Sequence, residues 1–106
     1  MNSQESAAEP DLVVRDAPER RRYEARLGSE LAGFIDYDVD GTVLALLHAE
    51  VAEEFGGRGI GGRMVRQTLD DVRGRGLRIR PACSFVANWV ARHPDYADLV
   101  DRQDRA

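Results

Sequence analysis

Five of the chain's ten glycines fall within Glu54-Phe55-Gly56-Gly57-Arg58-Gly59-Ile60-Gly61-Gly62-Arg63. Such crowding costs chain entropy, and it marks backbone that adopts unusual dihedrals or lets something approach that a Cβ would obstruct. A strand-like run precedes the glycines and a helix-like run follows, so they lie where a helix begins. A helix start directs unpaired N–H groups and the positive end of its dipole outward, which suits a phosphate. Arg58, Arg63 and Arg66 gather beside it and favour the same charge, although an exposed helix face also collects arginine. Just upstream, His48 and Glu50 sit two apart on a strand, pointing the same way and ~7 Å apart along it. That placement suits an acid–base pair at a cleft, and equally suits two side chains that have reached solvent.

The elements that must position these residues follow from periodicity. Asp11 to Arg15 reads as a first strand, closed by a turn at Asp16-Ala17-Pro18-Glu19. Arg22 to Leu27 alternates, with Tyr23, Ala25 and Leu27 on one side and Arg22, Glu24 and Arg26 on the other. The run Arg20-Arg21-Arg22 reads as a solvated edge. Gly28-Ser29 turns into a third strand, Leu31 to Val39, with Leu31, Gly33, Ile35, Tyr37 and Val39 expected on one face. Asp36, Asp38 and Asp40 near its end do not make a calcium loop, because no glutamate closes the twelfth position and Asp40-Gly41 is a hairpin turn. No metal is expected.

Thr42 to Val51 is the most apolar stretch and reads as a central strand. Val43, Ala45, Leu47, Ala49 and Val51 are expected on one face, with Leu44, Leu46, His48 and Glu50 on the other. Ile60 to Arg73 reads as an amphipathic helix burying Ile60, Met64, Val65, Thr68, Leu69 and Val72. Gly74 and Gly76 stop it, and Leu77 to Ala82 reads as a strand, parallel to the central one by the strand, helix, strand rule. Ser84 is the expected N-cap of a short helix from Phe85 to Arg92, burying Val86, Trp89 and Val90 and ended by Pro94. Asp95 to Val100 adds a final turn.

The expected whole is a compact α/β fold with a mixed sheet. It spans residues 11–100 as a single domain between polar tails at 1–10, read as disordered, and 101–106. One cysteine, Cys83, excludes an internal disulfide. The first ten residues lack the basic start and apolar middle of a secretion signal, so a cytoplasmic protein is expected. The net charge of −4 hides a division: five arginines face thirteen acids in residues 1–55, and ten face six in residues 56–106. An acidic chain argues against a nucleic-acid partner, and no run is long enough to span a membrane.

Three phosphate-binding chemistries share glycine-rich loops. A Walker loop needs lysine, and the chain has none. Gly57-Arg58-Gly59-Ile60-Gly61-Gly62 satisfies the dinucleotide pattern, but the window Leu77 to Val86 offers only Arg78 and Arg80 where a ribose-binding acid belongs. The third fits. Gly56-Gly57-Arg58-Gly59-Ile60-Gly61 resembles the pyrophosphate loop of GNAT acetyltransferases, Gln/Arg-x-x-Gly-x-Gly/Ala, with Gly56 departing from the usual first residue. The likeness is greater for the minimal single-domain GNAT-like proteins of bacteria and plants. It rests on His48-Ala49-Glu50-Val51, Gly57-Arg58-Gly59-Ile60-Gly61, Pro81-Ala82-Cys83, Phe85-Val86-Ala87 and Arg92-His93-Pro94-Asp95-Tyr96, in that order.

The resemblance implies a GNAT-like fold, with antiparallel N-terminal strands followed by strand, glycine loop, helix, strand and a short C-terminal helix. It implies an N-acetyltransferase moving an acetyl group from acetyl-CoA to an amine acceptor, protein or small molecule. The pantetheine arm would lie beside Glu50, Val51 and Cys83, where the fourth and fifth strands splay. The pyrophosphate would lie over the N–H groups of Gly57, Arg58, Gly59, Ile60, Gly61 and Gly62. Arg58 and Arg63 add charge-assisted contacts, and Asn88 and Arg92 are further cofactor-binding candidates. Asn88 and Ala91 keep the family's Asn-x-x-Ala-x-x-x-Tyr spacing, while Tyr96 arrives one residue late for its role of protonating the thiolate. Glu50 is the first candidate for the base and His48 the second. Cys83 has three readings: pocket wall, base, or acyl-carrying nucleophile. A module that keeps the cofactor cleft without turnover is the alternative.

Overall fold

A computed structural model describes residues 11–102; the expected N-terminal tail and the last four residues lie outside them. Five strands, β1 (Leu12–Ala17), β2 (Arg22–Leu27), β3 (Glu30–Asp40), β4 (Val43–Val51) and β5 (Arg78–Pro81), form one sheet in chain order. The pairs are antiparallel as far as β4, and β5 runs parallel to β4. The crossover between those two is helix α1 (Ile60–Gly74), and α2 (Ser84–Arg92) follows β5. Short 3-10 turns occupy Pro18–Arg20, Glu53–Phe55 and Pro94–Leu99. Gly28 and Gly41 take positive φ at the two tight hairpins, which is what those turns demand.

The inward stripe of α1 is the one its spacing predicts: Ile60, Met64, Val65, Thr68, Leu69 and Val72 are all buried. Together with Tyr23, Ala25, Ile35, Leu44, Leu46 and Ile79 from the sheet, and Val86, Trp89 and Val90 from α2, they form one core. The expected side-chain cap at Ser84 is absent. Cys83 occupies the N-cap position of α2 and makes no side-chain cap hydrogen bond. The strand bounds also shift. β1 runs on to Ala17, and β5 is trimmed to Arg78–Pro81.

Two bulges correct the expected faces. Ala25 pairs with Gly33 while Arg26 pairs with Leu31, so Ala32 is an extra residue in β3. Asp36 pairs with His48 while Tyr37 pairs with Leu46, so Leu47 is extra in β4. Each extra residue inverts the alternation beyond it. Leu31 therefore leaves the face of Gly33, Ile35 and Tyr37. Ala49 and Val51 join Leu44 and Leu46 toward the helices, and His48 and Glu50 turn to the opposite, outer face. Val39 is 50% exposed, because β3 there extends past the cover of α1.

Polar groups tie the sheet to α1. The Tyr23 hydroxyl donates to Asp71 at 2.6 Å and the Tyr37 hydroxyl to Asp16 at 2.6 Å. Arg75 joins the two, reaching Asp16 at 3.0 Å and Asp71 at 3.2 Å. Burial and the bond to Asp16 push Tyr37 up to about 12. On the outer face Glu24 is buried, not solvated as its alternation suggests, because Arg20, Arg22 and Arg26 converge on it at 2.9–3.1 Å. Burial alone would raise its carboxyl, but the guanidiniums outweigh burial and hold it below the usual range.

Two predictions follow from the core. Glu24 binds its proton less readily in the folded chain than in the unfolded one, so its contribution is present above the ordinary glutamate pKa and is lost as pH falls below it. Glu24→Gln should therefore lower unfolding free energy by roughly 1–2 kcal/mol at pH 7. The gap to the parent should close in urea titrations toward pH 3. Separately, the Thr68 hydroxyl is buried and has no hydrogen-bond partner among the described residues. Thr68→Val keeps the shape and removes that penalty, so it should raise stability by about 1 kcal/mol, measured as the thermal midpoint.

Candidate active site

The site begins where β4 loses a neighbour. Its parallel pairing with β5 runs from Val43 opposite Arg78 to Leu46 opposite Pro81 and goes no further. The Cys83 N–H donates to the Leu46 carbonyl at 2.9 Å, and the chain then turns into α2. Beyond Leu46, β4 continues to Val51 with β3 on one side and, among the described residues, no strand on the other. Ala49, Glu50, Val51, Met64 and Phe85 line a pocket of about 230 Å³ at this opened edge. It is largely apolar, with Glu50 as its acidic member.

The glycine loop sits next to it. Phe55 is buried and anchors the turn that leaves β4, and the Gly56 N–H is tied to the Glu53 carbonyl at 3.1 Å. Gly57 and Gly59 follow with φ of +80° and +72°, and Gly59 is the N-cap of α1. Among the described residues no carbonyl accepts the N–H of any residue from Gly57 to Gly62; the first helical bond runs from Arg63 to Gly59 at 3.3 Å. A row of outward amides at a helix start is an anion cradle. Nothing lies within 4 Å of where a Cβ would stand on Gly57 or Gly59, so their dihedrals and the approach of a ligand, not crowding by the protein, require glycine there. Gly61 and Gly62 differ. A Cβ on Gly61 would meet the Phe85 ring at 2.8 Å, and one on Gly62 would meet the Trp89 indole nitrogen at 3.5 Å. Gly61 thus lets α1 come against Phe85 at the head of the pocket, while at Gly62 a methyl would find an ordinary van der Waals contact.

His48 and Glu50 do meet, Nε2 to Oε1 at 3.0 Å, with both side chains more than half exposed. Their distance along the strand is closed by the side chains. Phe34, paired with Glu50 across the sheet, brings its ring centroid to 6.1 Å from that of His48. The Arg22 guanidinium lies over Phe34 at 4.7 Å. Glu50 also lines a second, smaller pocket of about 90 Å³ with Leu31, Ala32, Gly33, Phe34 and Ala52. One residue, Glu50, thus lines both pockets, while its carboxylate lies on the outer face against His48. A larger hollow of about 330 Å³ between β1 and β2, lined by residues such as Val13, Arg15 and Glu24, lies away from the loop and the strand edge.

The other candidates are spread more widely. Arg58 and Arg63 are exposed at the loop, and the Arg58 guanidinium is 5.4 Å from the Phe55 ring centroid. Asn88 and Arg92 are exposed on α2, at spacings of three and seven from Phe85, so they share its stripe leading away from the pocket. Cys83 is half-buried against the core and does not line either pocket at Glu50. Tyr96 is buried, donating to Asp70 at 2.7 Å and accepting from Arg66 at 3.1 Å. Its hydroxyl is committed to α1, and burial followed by the Asp70 bond raises its pKa, so it stands as a structural residue. Periodicity missed Phe85, which falls one place off the inward stripe of α2, and Met64, which reads as filler yet forms pocket wall. It missed Leu31 and Phe34 because their role depends on the bulges.

A family model described as GCN5-related N-acetyl-transferase matches residues 22–99. The chain belongs to that family. The match takes in β2 through the last 3-10 turn, hence the opened strand edge, the glycine loop and both helices, and this N-acetyltransferase carries the cleft on them. Among solved structures, a GCN5-like protein of Staphylococcus aureus, determined by NMR, is 22% identical and superposes with a TM-score of 0.64. The alignment covers 85% of this chain and 88% of that one, and it shows the shared fold. Nourseothricin acetyltransferase is 19% identical over 72% of this chain and 66% of its own, and its TM-score of 0.38 is too low to bear on the fold. No curated protein matches. GNAT enzymes use acetyl-CoA as cosubstrate. Among the described residues no helix of this acetyltransferase is long and apolar enough to cross a membrane.

The loop yields a paired test. Gly59→Ala should destabilise the enzyme by about 1 kcal/mol, because L-residues resist positive φ, although no atom obstructs the new methyl. Gly74→Ala, at an unstrained helical position that is equally open, should be stabilising by about 0.5 kcal/mol. Chemical denaturation of the two variants against the parent measures both.

Proposed function

We propose that this acetyltransferase transfers the acetyl group of acetyl-CoA directly to an amine, with Glu50 as general base. The supporting observation is that Glu50 borders both pockets: the one at the opened edge of β4, beside the glycine loop, and the one toward β3. Two substrates entering from those sides would meet at this one residue of the β4 edge. The N–H groups from Gly57 to Gly62 suit the pyrophosphate, with Arg58 and Arg63 adding charge. Val51, Met64 and Phe85 supply an apolar channel for the pantetheine arm, and Asn88 and Arg92 extend the same stripe toward the nucleotide.

The chemistry requires a neutral amine. Glu50 takes the proton from the incoming ammonium, and His48, hydrogen-bonded to it, orients the carboxylate or relays the proton to solvent. The nitrogen lone pair then forms the N–C bond at the thioester carbonyl, the C–S bond breaks, and the second proton lost by the nitrogen passes through water to the departing sulfur. Coenzyme A leaves as a thiol carrying a proton. Cys83, half-buried against the core and outside both pockets, fits a packing role at the start of α2 better than that of nucleophile. The Tyr96 hydroxyl, bound to Asp70, fits none of these steps, so protonation of the thiolate falls to water or to the proton taken up at Glu50.

Trp89 is the chain's one tryptophan and stands against Gly62, so its fluorescence should change as acetyl-CoA fills the loop. Calorimetry should give a matching affinity. Glu50→Gln should bind the thioester as the parent does and lose ~100-fold in kcat. Absence of binding at millimolar ligand would remove the proposal, and full activity in Glu50→Gln would move the base elsewhere.

A further inference from the structure

The two edges of the sheet are finished differently. β5 is four residues long, carries Pro81, and is closed off by the segment after the last 3-10 turn: Val100 bridges Ile79, and the Asp101 N–H donates to the Ile79 carbonyl at 2.8 Å. An edge so short and so covered offers little to another chain. β1, at the other edge, is six residues long, pairs with β2 without a bulge, and contains no proline or lysine. Among the described residues no strand lies beyond it. Its free backbone groups can be identified. Gly28-Ser29 is a two-residue hairpin loop, so Leu27 exchanges its backbone hydrogen bonds with Glu30 of β3. Leu12, opposite Leu27, therefore turns its N–H and C=O away from β2, and by alternation so do Val14 and Asp16. The Gln67 side chain agrees with that direction, donating to the Leu12 carbonyl at 3.2 Å. Val13 and Arg15 stand on the outer face, where Val13 is 41% exposed. Arg15 is opposite Glu24, but that carboxylate is already held at 2.9–3.1 Å by Arg20, Arg22 and Arg26.

From this we propose that β1 pairs antiparallel with β1 of a second copy of the chain, about a twofold axis at Val13, joining two five-stranded sheets into one. Charge selects both the occupant and the register. Only registers that set Leu12, Val14 and Asp16 opposite one another can form hydrogen bonds, since those residues carry the free groups. Centred on Arg15, such a pairing would face two arginines across the axis. Centred on Val14, it would set buried Leu12 beside the Asp16 carboxylate, which is committed to Tyr37 and Arg75. Centred on Val13, it sets Asp11 of each copy opposite Arg15 of the other, on the outer face, with the two Val13 side chains in contact between them. Leu12 and Val14 then exchange backbone hydrogen bonds with Val14 and Leu12 of the partner. The interface is narrow, so the dimer is weak and depends on concentration. The two clefts lie at the β4 ends of the joined sheet, far from the seam, and both stay open.

Sedimentation velocity tests the pairing: the parent should pass from mostly monomer at about 10 µM to mostly dimer at about 1 mM. Arg15→Glu and Asp11→Arg each place like charges at both ends of the seam, so each should weaken the dimer about tenfold. The double variant Asp11→Arg/Arg15→Glu restores opposite charges and should recover the parent's association. Val14→Pro removes an N–H that β2 does not use and should also abolish the dimer; should it not fold, the charge variants decide. Amide exchange at Val14 should slow as the parent is concentrated. A parent monomeric at about 1 mM, where even a small interface should associate, overturns the proposal. So does a dimer indifferent to Arg15→Glu, or a folded double variant that stays monomeric. A Val14 amide protected equally at every concentration would show that the edge is covered from within the chain, and would overturn it too.

Discussion

The parallel ladder between β4 and β5 stops after four residue pairs, and the site depends on that stop. Had β5 continued, Ala49 to Val51 would be sealed between two strands and the cleft would not exist. The ladder stops because Pro81 has no N–H to offer, and because the chain turns away at Cys83, whose own N–H goes back to the Leu46 carbonyl. The bulge at Leu47 falls at the same level of β4. It turns Ala49 and Val51 toward the helices and Glu50 toward the outer face. One local irregularity thereby gives an apolar wall to one side of the strand and a carboxylate to the other.

The helices are held against this opening by contacts that tolerate little change. Gly33, paired with Val51 on the neighbouring strand, is so hemmed in that a Cβ there would meet the Glu50 carbonyl at 2.7 Å and the Met64 sulfur at 3.1 Å. That contact fixes how closely β3, β4 and Met64 of α1 pack at Glu50. Gly61 lets α1 come against Phe85, and Trp89, beside Gly62, stacks on His93 at 3.8 Å and meets Tyr96 edge-on at 5.1 Å. Arg66 lies over Trp89 and Tyr96 at 5.3 and 5.5 Å, and Tyr96 returns a hydrogen bond to Asp70. The Arg92-His93-Pro94-Asp95-Tyr96 segment is thus a clasp between α2 and α1. It keeps the start of α1, with its outward amides, beside the pocket.

The outer face obeys a different constraint. Among the described residues no helix covers it, and charged side chains stand on it in pairs. Glu24, Asp38 and Asp40 are matched by arginine, and Glu24 so fully that it becomes buried. Glu50 is paired with His48 instead, at the end of β4 that borders both pockets.

The amino-acid sequence by itself determined the element order, the inward stripes of α1 and α2, the parallel return of β5 and the exposed loop glycines, because each depends on short-range periodicity or on the dihedral freedom of one residue type. It also carried enough matched segments to place the chain among GNAT-like proteins. Only the tertiary structure decided which face of the sheet each late residue of β3 and β4 occupies, since a bulge is set by the register of the neighbouring strand and leaves no mark in alternation. The same holds for the burial of Glu24, the pocket role of Phe85 and the commitment of Tyr96 to Asp70. Each of these depends on a partner distant in the chain, and the free energy of such a contact is fixed only when packing brings the two groups within reach.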